Sequence, residues 1–138
     1  KPWTFEMFEN SEHNICQQYN IPKFYLDLTM YQRSCDSLLG VPFNIASMSA
    51  FLMIIAKTVG MLPGESRWVG GDVHLYMAHI DAAKEQIERK PYELPKLLIN
   101  KNLKTLEDIL SLTINDFDII GYRYHPRITQ ELFTGYKR

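Results

Sequence analysis

The chain has 138 residues, of which 46% are hydrophobic, 12% aromatic and 22% charged. This length fits one domain that buries roughly two-thirds of its unfolded surface, and the composition excludes disordered and fibrous classes of protein. Fifteen basic and sixteen acidic residues give a formal net charge of −1 without a long run of either sign, so we expect neither a nucleic-acid partner nor a membrane partner.

The cysteines and the apolar stretches point to a cytoplasmic protein. Cys16 and Cys35 are too few for a disulfide scaffold, and neither belongs to a CxxC pair. The first residues, KPWTFEMFENSEHN, contain no apolar signal core. The most apolar stretch, residues 41–56, is interrupted by polar side chains and ends before Lys57, which predicts a buried helix rather than a membrane span.

The first half of the chain predicts a strand pair followed by a helix. After an irregular segment at residues 1–12, we expect strands at 14–20 (NICQQYN) and 25–34 (YLDLTMYQRS), joined by a reversal. The helix expected over residues 42–60 begins at a proline and is apolar on most sides, so it should be buried against a sheet. Residues 61–66 (MLPGES) are predicted to form a loop, because proline and glycine break regular structure.

The second half alternates strands and helices. RWVGGDVHLYM at 67–77 reads as a strand, and IDAAKEQIERK at 80–90 as an amphipathic helix. A short strand at 95–100, a helix at 105–112 with a capping-box signature and a last strand at 116–125 follow. Because there is no repeat or linker, the pattern predicts a single α/β domain over the whole chain.

Two polar groups near the end of the second predicted strand suit a nucleotide. The guanidinium of Arg33 and the hydroxyl of Ser34 match the oxygens of a phosphate, although a surface ion pair between Arg33 and Asp36 is the alternative. The carboxamide of Asn44 carries one acceptor and two donors, so it could face the edge of a uracil ring. A helix cap, or a core amide bonded to backbone, is the alternative for Asn44.

A second polar set lies in GGDVHLY. On a strand, the period of two puts Asp72, His74 and Tyr76 on one face, which could bond a sugar hydroxyl. A half-buried, satisfied histidine is the alternative. The spacing of His74, His79 and Asp81 fits neither the helical nor the strand pattern of metal ligands, so we expect no metal site. Common hydrolase and phosphate-loop motifs are absent from the sequence.

Several strings occur in a telling order: YQRSCDSLLGVPFNIAS, PG, GGDVHLYMAH, PKL and GYRYHP. In that order they closely resemble the carboxy-terminal half of the thymidylate synthase family, which includes the pyrimidine nucleotide hydroxymethylases, over about residues 16–128. The resemblance implies a mixed sheet packed on a long buried helix, incomplete relative to the family fold. It also implies a dimer, homomeric or heteromeric, and transfer of a one-carbon unit from 5,10-methylenetetrahydrofolate to C5 of dUMP, as a methyl or hydroxymethyl group.

The resemblance also implies roles for individual residues. The substrate-binding set would be Gln32, Arg33, Ser34, Asn44, His74 and Tyr76. Within this set, the guanidinium and the serine hydroxyl would hold the phosphate, the asparagine would read the pyrimidine edge, and the imidazole and phenol would bond the deoxyribose hydroxyl. Asp36 and Gly40 would meet the pterin of the folate cofactor.

The catalytic position is the one departure that changes the expected function. The family's reaction begins when a cysteine thiolate attacks C6 of the pyrimidine. Counting back from Arg33, that position falls on His13, whereas Cys16, three positions on, would point to the opposite face of a regular strand unless a bulge turns it. The family's amino-terminal half is also missing from this sequence. We therefore expect activity only with another chain; a catalytically inactive nucleotide-binding or structural subunit, or a piece of a longer enzyme, is the alternative.

Overall fold

The structure is a computed structural model that describes residues 15–18 and 21–130. The chain alternates strands and helices, which confirms the α/β class. The elements in chain order are β1 (Tyr25–Asp36), α1 (Gly40–Thr58), β2 (Leu62–His74), α2 (Ile80–Glu88), β3 (Lys96–Ile99), α3 (Leu106–Leu110) and β4 (Phe117–Ile120), with single 3-10 turns at Met77–His79 and Ile114–Asp116. Within the described residues the strands form two separate pairs, β1–β2 and β3–β4.

β1, α1 and β2 form one β-α-β unit. The two strands are parallel, with Tyr25 paired to Leu62 at one end and Asp36 paired to His74 at the other. Parallel strands need a crossover connection, and α1 provides it. The carboxyl ends of both strands therefore lie at the same edge of the sheet, next to the start of α1.

α1 is covered on one side only. Its buried residues, Met48, Leu52 and Ala56, recur at every fourth position and form a single stripe. Phe43 is 74% exposed and Phe51 is 53% exposed. The prediction of a helix buried on most sides is therefore wrong for this chain by itself, because a two-stranded sheet covers only one face of α1.

The length and composition of α1 would allow it to cross a membrane, and among the described helices it alone has this property. The core helices of soluble proteins can have the same length and composition. Its buried stripe and its packing on β1 and β2 are those of a core helix.

The last strand, expected at 116–125, ends at Ile120. Two further local predictions are wrong. Residues 15–18, expected in a strand, form a helical turn, so the expected antiparallel pairing with β1 is replaced by the parallel pairing with β2. Residues 62–66, expected in a loop, belong to β2. Gly64 explains the second error, because a Cβ there would lie 2.2 Å from Asp27 Oδ1 and 3.0 Å from the Leu26 carbonyl oxygen. The glycine permits a close strand approach rather than a turn.

The carboxy-terminal region, residues 96–120, holds β3, α3 and β4. β3 and β4 are antiparallel, and β4 ends before Gly121, whose φ of 75° turns the chain. Thr105 caps α3 in the predicted capping box with Asp108. Hydrogen bonds from the backbone N–H groups of Lys104 and then Thr105 lower the pKa of Asp108 below its ordinary value.

Candidate nucleotide site

The candidate site lies at the carboxyl ends of β1 and β2. Ser34 is paired with Asp72, and Asp36 with His74, so these polar residues stand side by side on neighbouring strands. The loop that leaves β1 is fastened to the end of β2, because Ser37 donates to the His74 carbonyl oxygen from its backbone N–H (2.9 Å) and from its hydroxyl (2.8 Å). The two hydrogen bonds therefore fix the position of this loop relative to the end of β2.

A pair of carboxamides joins β1 to α1. Gln32 Nε2 donates to Asn44 Oδ1 at 3.0 Å and to the Ser34 carbonyl oxygen at 3.0 Å. Asn44 lies inside α1 and is not its cap, since the N-cap residue is Leu39. The alternative of a capping or backbone-bonded asparagine is therefore not what the structure contains. The orientation of the pair leaves the Asn44 amide nitrogen as a donor for another group.

Asp36 and Gly40 shape the loop between β1 and α1. Asp36 Oδ1 accepts hydrogen bonds from the backbone N–H groups of Leu38 (3.2 Å) and Leu39 (3.4 Å). A Cβ at Gly40 would lie 3.4 Å from the Asp36 Cβ and 3.7 Å from Asn44 Oδ1. A side chain at position 40 would therefore stand between the carboxylate and the carboxamide, in contact with both residues.

Arg33 is exposed and lies between Gln32 and Ser34 on β1. Among residues 15–18 and 21–130, its guanidinium has no hydrogen bond or ion pair. The ion pair with Asp36 that was the alternative interpretation is absent, because the Asp36 carboxylate bonds the following turn instead. Arg33 therefore keeps its full set of donors for an anion.

His74 and Tyr76 meet just past the end of β2. Their rings contact edge to face, with centroids 5.0 Å apart, and the His74 side chain is 28% exposed. His74 Nδ1 lies 3.2 Å from the Asp72 carbonyl oxygen. Because a carbonyl can only accept, Nδ1 carries the proton, and Nε2 is left as an acceptor that suits a hydroxyl donor.

The structure gives less for the catalytic position. His13 lies outside the described residues. Cys16 lies in the helical turn at 15–18, is partly buried and accepts a backbone hydrogen bond from Ile21 at its carbonyl oxygen. Cys35 is fully buried, and its thiol donates to the Gln32 carbonyl oxygen at 3.2 Å, so it is a core side chain beneath the site.

Two hollows border these residues. One, of about 610 Å³, has Ser37, Leu39 and Phe43 on one wall and the segment 122–127 on the other. The other, of about 400 Å³, lies beside Asn44 and has apolar walls. In the stretches that the structure covers, no group of three His, Cys, Asp or Glu side chains is arranged to hold a metal ion.

The sequence analysis missed one participant, Trp68. Its indole Nε1–H donates to Gln32 Oε1 at 2.9 Å. Trp68 on β2 is therefore linked through Gln32 to Asn44. The signal was present in WVGG, because a glycine two positions after a tryptophan on one strand removes the side chain that would otherwise stand beside the indole.

Comparison with known proteins gives the same family as the motifs. The family model described as thymidylate synthase matches residues 3–134. The chain is 46% identical over 115 residues to thymidylate synthase of Buchnera aphidicola subsp. Baizongia pistaciae, covering 83% of this chain and 42% of that protein. It is 49% identical over 107 residues to thymidylate synthase of Saccharomyces cerevisiae, covering 78% of this chain and 34% of that protein.

A third relative is the bifunctional dihydrofolate reductase-thymidylate synthase of Leishmania amazonensis. It is 44% identical over 121 residues, which cover 87% of this chain and 23% of the relative. The chain thus spans less than half the length of each of these curated relatives.

Proposed function

The chain belongs to the thymidylate synthase family, and on that premise we propose that it is the nucleotide-binding portion of an enzyme that transfers a one-carbon unit to C5 of dUMP. The observation that carries the proposal is the hydrogen-bonded pair of Gln32 and Asn44, near the carboxyl ends of the two strands that also carry Arg33 and His74. Within the described residues the guanidinium of Arg33 has no hydrogen-bond or ion-pair partner.

Arg33 and Ser34 bind the phosphate in this proposal. Both side chains are exposed at the end of β1. Charge-assisted hydrogen bonds to a phosphate each contribute about 1.5–3 kcal/mol, so the guanidinium of Arg33, which has no partner among the described residues, is a strong anchor for an anion.

Asn44 reads the pyrimidine, and His74 with Tyr76 holds the sugar. The Asn44 amide nitrogen donates to a ring carbonyl, while Oδ1, which accepts from Gln32, keeps a second lone pair for the ring N–H. His74 Nε2 accepts from a deoxyribose hydroxyl, because Nδ1 faces the Asp72 carbonyl oxygen.

Asp36 and Gly40 suit the pterin of 5,10-methylenetetrahydrofolate. Asp36 keeps one carboxylate oxygen for the N–H groups of a pterin, and Gly40 allows a flat ring to approach without meeting a Cβ. When bound, the cofactor supplies the one-carbon unit, and the protein residues orient the two rings against each other.

Catalysis requires a nucleophile at C6 of the pyrimidine, and we propose that this chain needs residues from another chain to complete it. A specific observation also favours a second candidate, a catalytically inactive nucleotide-binding or structural subunit. Of the two cysteines in the sequence, Cys35 is fully buried and Cys16 lies in a helical turn. The resemblance to the family puts His13 at the position of the catalytic cysteine.

Release of tritium from C5-labelled dUMP in the presence of methylenetetrahydrofolate tests the catalytic proposal. The purified native assembly should release tritium, and a complete lack of release together with normal dUMP binding would leave the inactive subunit as the function. His13→Ala and Cys16→Ala, compared in the same assay, show which of the two residues serves the reaction.

Arg33→Ala separates nucleotide binding from a purely structural role. The variant should lose about 10- to 100-fold in dUMP affinity, measured by calorimetry, because one charged anchor is removed. Arg67→Ala is the matched control, since Arg67 pairs with Asp27 and Glu65 toward the other end of the two strands and should leave the affinity unchanged. Equal affinities for both variants would reject the site.

The exposed side of α1 supports an assembly with further protein. Phe43 and Phe51 leave large aromatic surfaces uncovered, and the matched region covers only 42% of the Buchnera relative. We therefore propose a cytoplasmic dimer, with an identical or a different chain. Sedimentation of the protein from its native source measures the assembly, and a species of single-chain mass would contradict it.

A further inference from the structure

Trp68 reaches across the sheet to Gln32 through a gap made by a glycine. The register pairs Met30 with Trp68 and Gln32 with Gly70, so Trp68 and Gln32 are diagonal neighbours on one face. A Cβ at Gly70 would lie 2.5 Å from Trp68 Cη2 and 3.0 Å from Cζ2. The indole therefore occupies the space that a side chain at position 70 would fill.

The indole fixes the orientation of the two carboxamides, that is, which end of each is the oxygen and which is the nitrogen. An indole N–H can only donate, so the Gln32 atom at 2.9 Å must be Oε1. Gln32 Nε2 then faces away from the indole and donates to Asn44 Oδ1. The Asn44 amide nitrogen consequently turns away from Gln32, and its two donors are left for another group.

We propose that Trp68 is a positioning residue that sets which end of the Asn44 carboxamide faces the nucleotide, and that it thereby favours a uracil-type ring over a cytosine-type ring. The inference rests on the proposed function of the site and adds the origin of its base preference. The mechanism is a relay of three side chains, Trp68 to Gln32 to Asn44, in which each hydrogen bond has a defined direction.

The relay discriminates because the two rings differ at one exocyclic group. A uracil ring presents a carbonyl oxygen where a cytosine ring presents an amino group, so the first accepts a hydrogen bond and the second donates one. Without the indole, Gln32 could rotate by a half-turn and present Oε1 to Asn44. Asn44 would then turn its own oxygen outward, which suits an amino group. The Ser34 carbonyl oxygen opposes this rotation, since it accepts from Gln32 Nε2.

Trp68→Phe in the native assembly is the direct test, because it removes the donor and keeps an aromatic ring. Dissociation constants for dUMP and dCMP are measured by calorimetry. The ratio that favours dUMP should fall about fivefold, the equivalent of one neutral hydrogen bond. Tyr31→Phe is the matched control, since it removes a single hydroxyl and keeps the ring at an exposed position of β1, and it should leave the ratio unchanged.

Two further variants separate positioning from general loss of structure. Gln32→Met removes the middle of the relay, so adding Trp68→Phe to it should not change the ratio again. Gly70→Ala displaces the indole and should lower the ratio as Trp68→Phe does. A uniform loss of affinity for both nucleotides, or an unchanged ratio in Trp68→Phe, would overturn the inference.

A double-mutant cycle in urea unfolding tests the relay without any nucleotide. Trp68→Phe and Asn44→Ala should be coupled by at least about twofold in the unfolding equilibrium constant, and the coupling should vanish in a Gln32→Met background. Additive effects would overturn the inference even if dUMP binds. If dUMP does not bind but the coupling is present, the relay stands and the proposed function fails.

Discussion

The β-α-β unit and the carboxy-terminal region are held together in different ways. In the first, some side-chain hydrogen bonds span a long stretch of sequence: Trp68 and Gln32 are 36 residues apart, and the Ser37 hydroxyl bonds the carbonyl oxygen of His74, 37 residues away. In the second, the capping bonds join residues three positions apart, such as Thr105 and Asp108, and the bond from Asn100 to Asp118 spans 18 positions. The candidate site therefore depends on contacts that are distant in sequence, whereas the cap of α3 depends on near neighbours.

The contrast extends to the core. The buried apolar side chains of α1 pack on the parallel strands, while α3 has no buried residue. A matched pair of leucines therefore measures how unequally the two regions support the fold.

Leu52→Ala should have the largest effect of the stability variants. Leu52 is 3% exposed, so its truncation leaves a cavity and should lower the free energy of unfolding by about 2–5 kcal/mol. Leu110 in α3 is 77% exposed, and Leu110→Ala should change the free energy of unfolding by no more than about 0.5 kcal/mol. Urea unfolding of both variants makes the measurement, and equal losses would break the contrast.

A pair of glycines sharpens the contrast at the level of the site. A Cβ at Gly71 would lie 2.7 Å from Tyr31 Oη and 2.9 Å from the Arg33 carbonyl oxygen. Gly71→Ala should therefore cost about 1–3 kcal/mol of stability and also weaken dUMP binding, because it moves the strand that carries Arg33.

Gly121→Ala is the counterpart in the carboxy-terminal region. Gly121 has a φ of 75° and no neighbouring atom within 4 Å of an added Cβ. The substitution should cost about 1–2 kcal/mol through the backbone alone and leave dUMP affinity unchanged. Urea unfolding measures the stability of both glycine variants, and calorimetry measures their affinity for dUMP. Weaker dUMP binding in Gly121→Ala would contradict the separation of the site from the carboxy-terminal region.

Loss of the α3 cap should have a smaller effect. Thr105→Ala removes the hydroxyl that accepts from the Asp108 backbone N–H and should lower the free energy of unfolding by about 1 kcal/mol. Thr105→Ser keeps the hydroxyl and should restore most of the loss in the same thermal or urea unfolding experiment. A loss of nucleotide affinity in either variant would link two regions that we describe as separate.

The smallest effect is the pH dependence of that cap. The folded pKa of Asp108 is lowered, so its contribution to stability is complete above its unfolded value of about 3.9 and disappears as the pH falls through the lowered folded value. Asp108→Asn should therefore flatten the acid limb of a plot of unfolding free energy against pH. An unchanged acid limb would show that ionisation of Asp108 does not contribute to the stability of the fold.

Local signals in the sequence predicted local structure well. The capping box of α3 is confirmed, and the helix expected at 80–90 is confirmed over 80–88, because their signals lie within a few residues of each other. The strand expected at 14–20 and the loop expected at 61–66 were wrong over the residues described. In the second case a proline and glycine were read as a turn, although tertiary contact with Asp27 and Leu26 explains the glycine.

The candidate site needed more than local pattern. The polar residues could be singled out from their chemistry and from the resemblance to a family, but their connections could not. The bond between Gln32 and Asn44 depends on α1 packing over β1, and the bond from Trp68 depends on the parallel register. Side-chain periodicity alone predicts neither the register of the two strands nor the packing of the helix on them.

The parallel pairing of β1 with β2 also dictates the order in which the molecule can be assembled. Gln32 pairs with Gly70, so β1 and β2 cannot pair until α1 and β2 have been synthesised. During translation, a finished β1 with unsatisfied backbone groups would emerge from the ribosome before β2 exists. Closing so long a loop slows folding, and nascent chains at this stage are the ones that a chaperone would recognise.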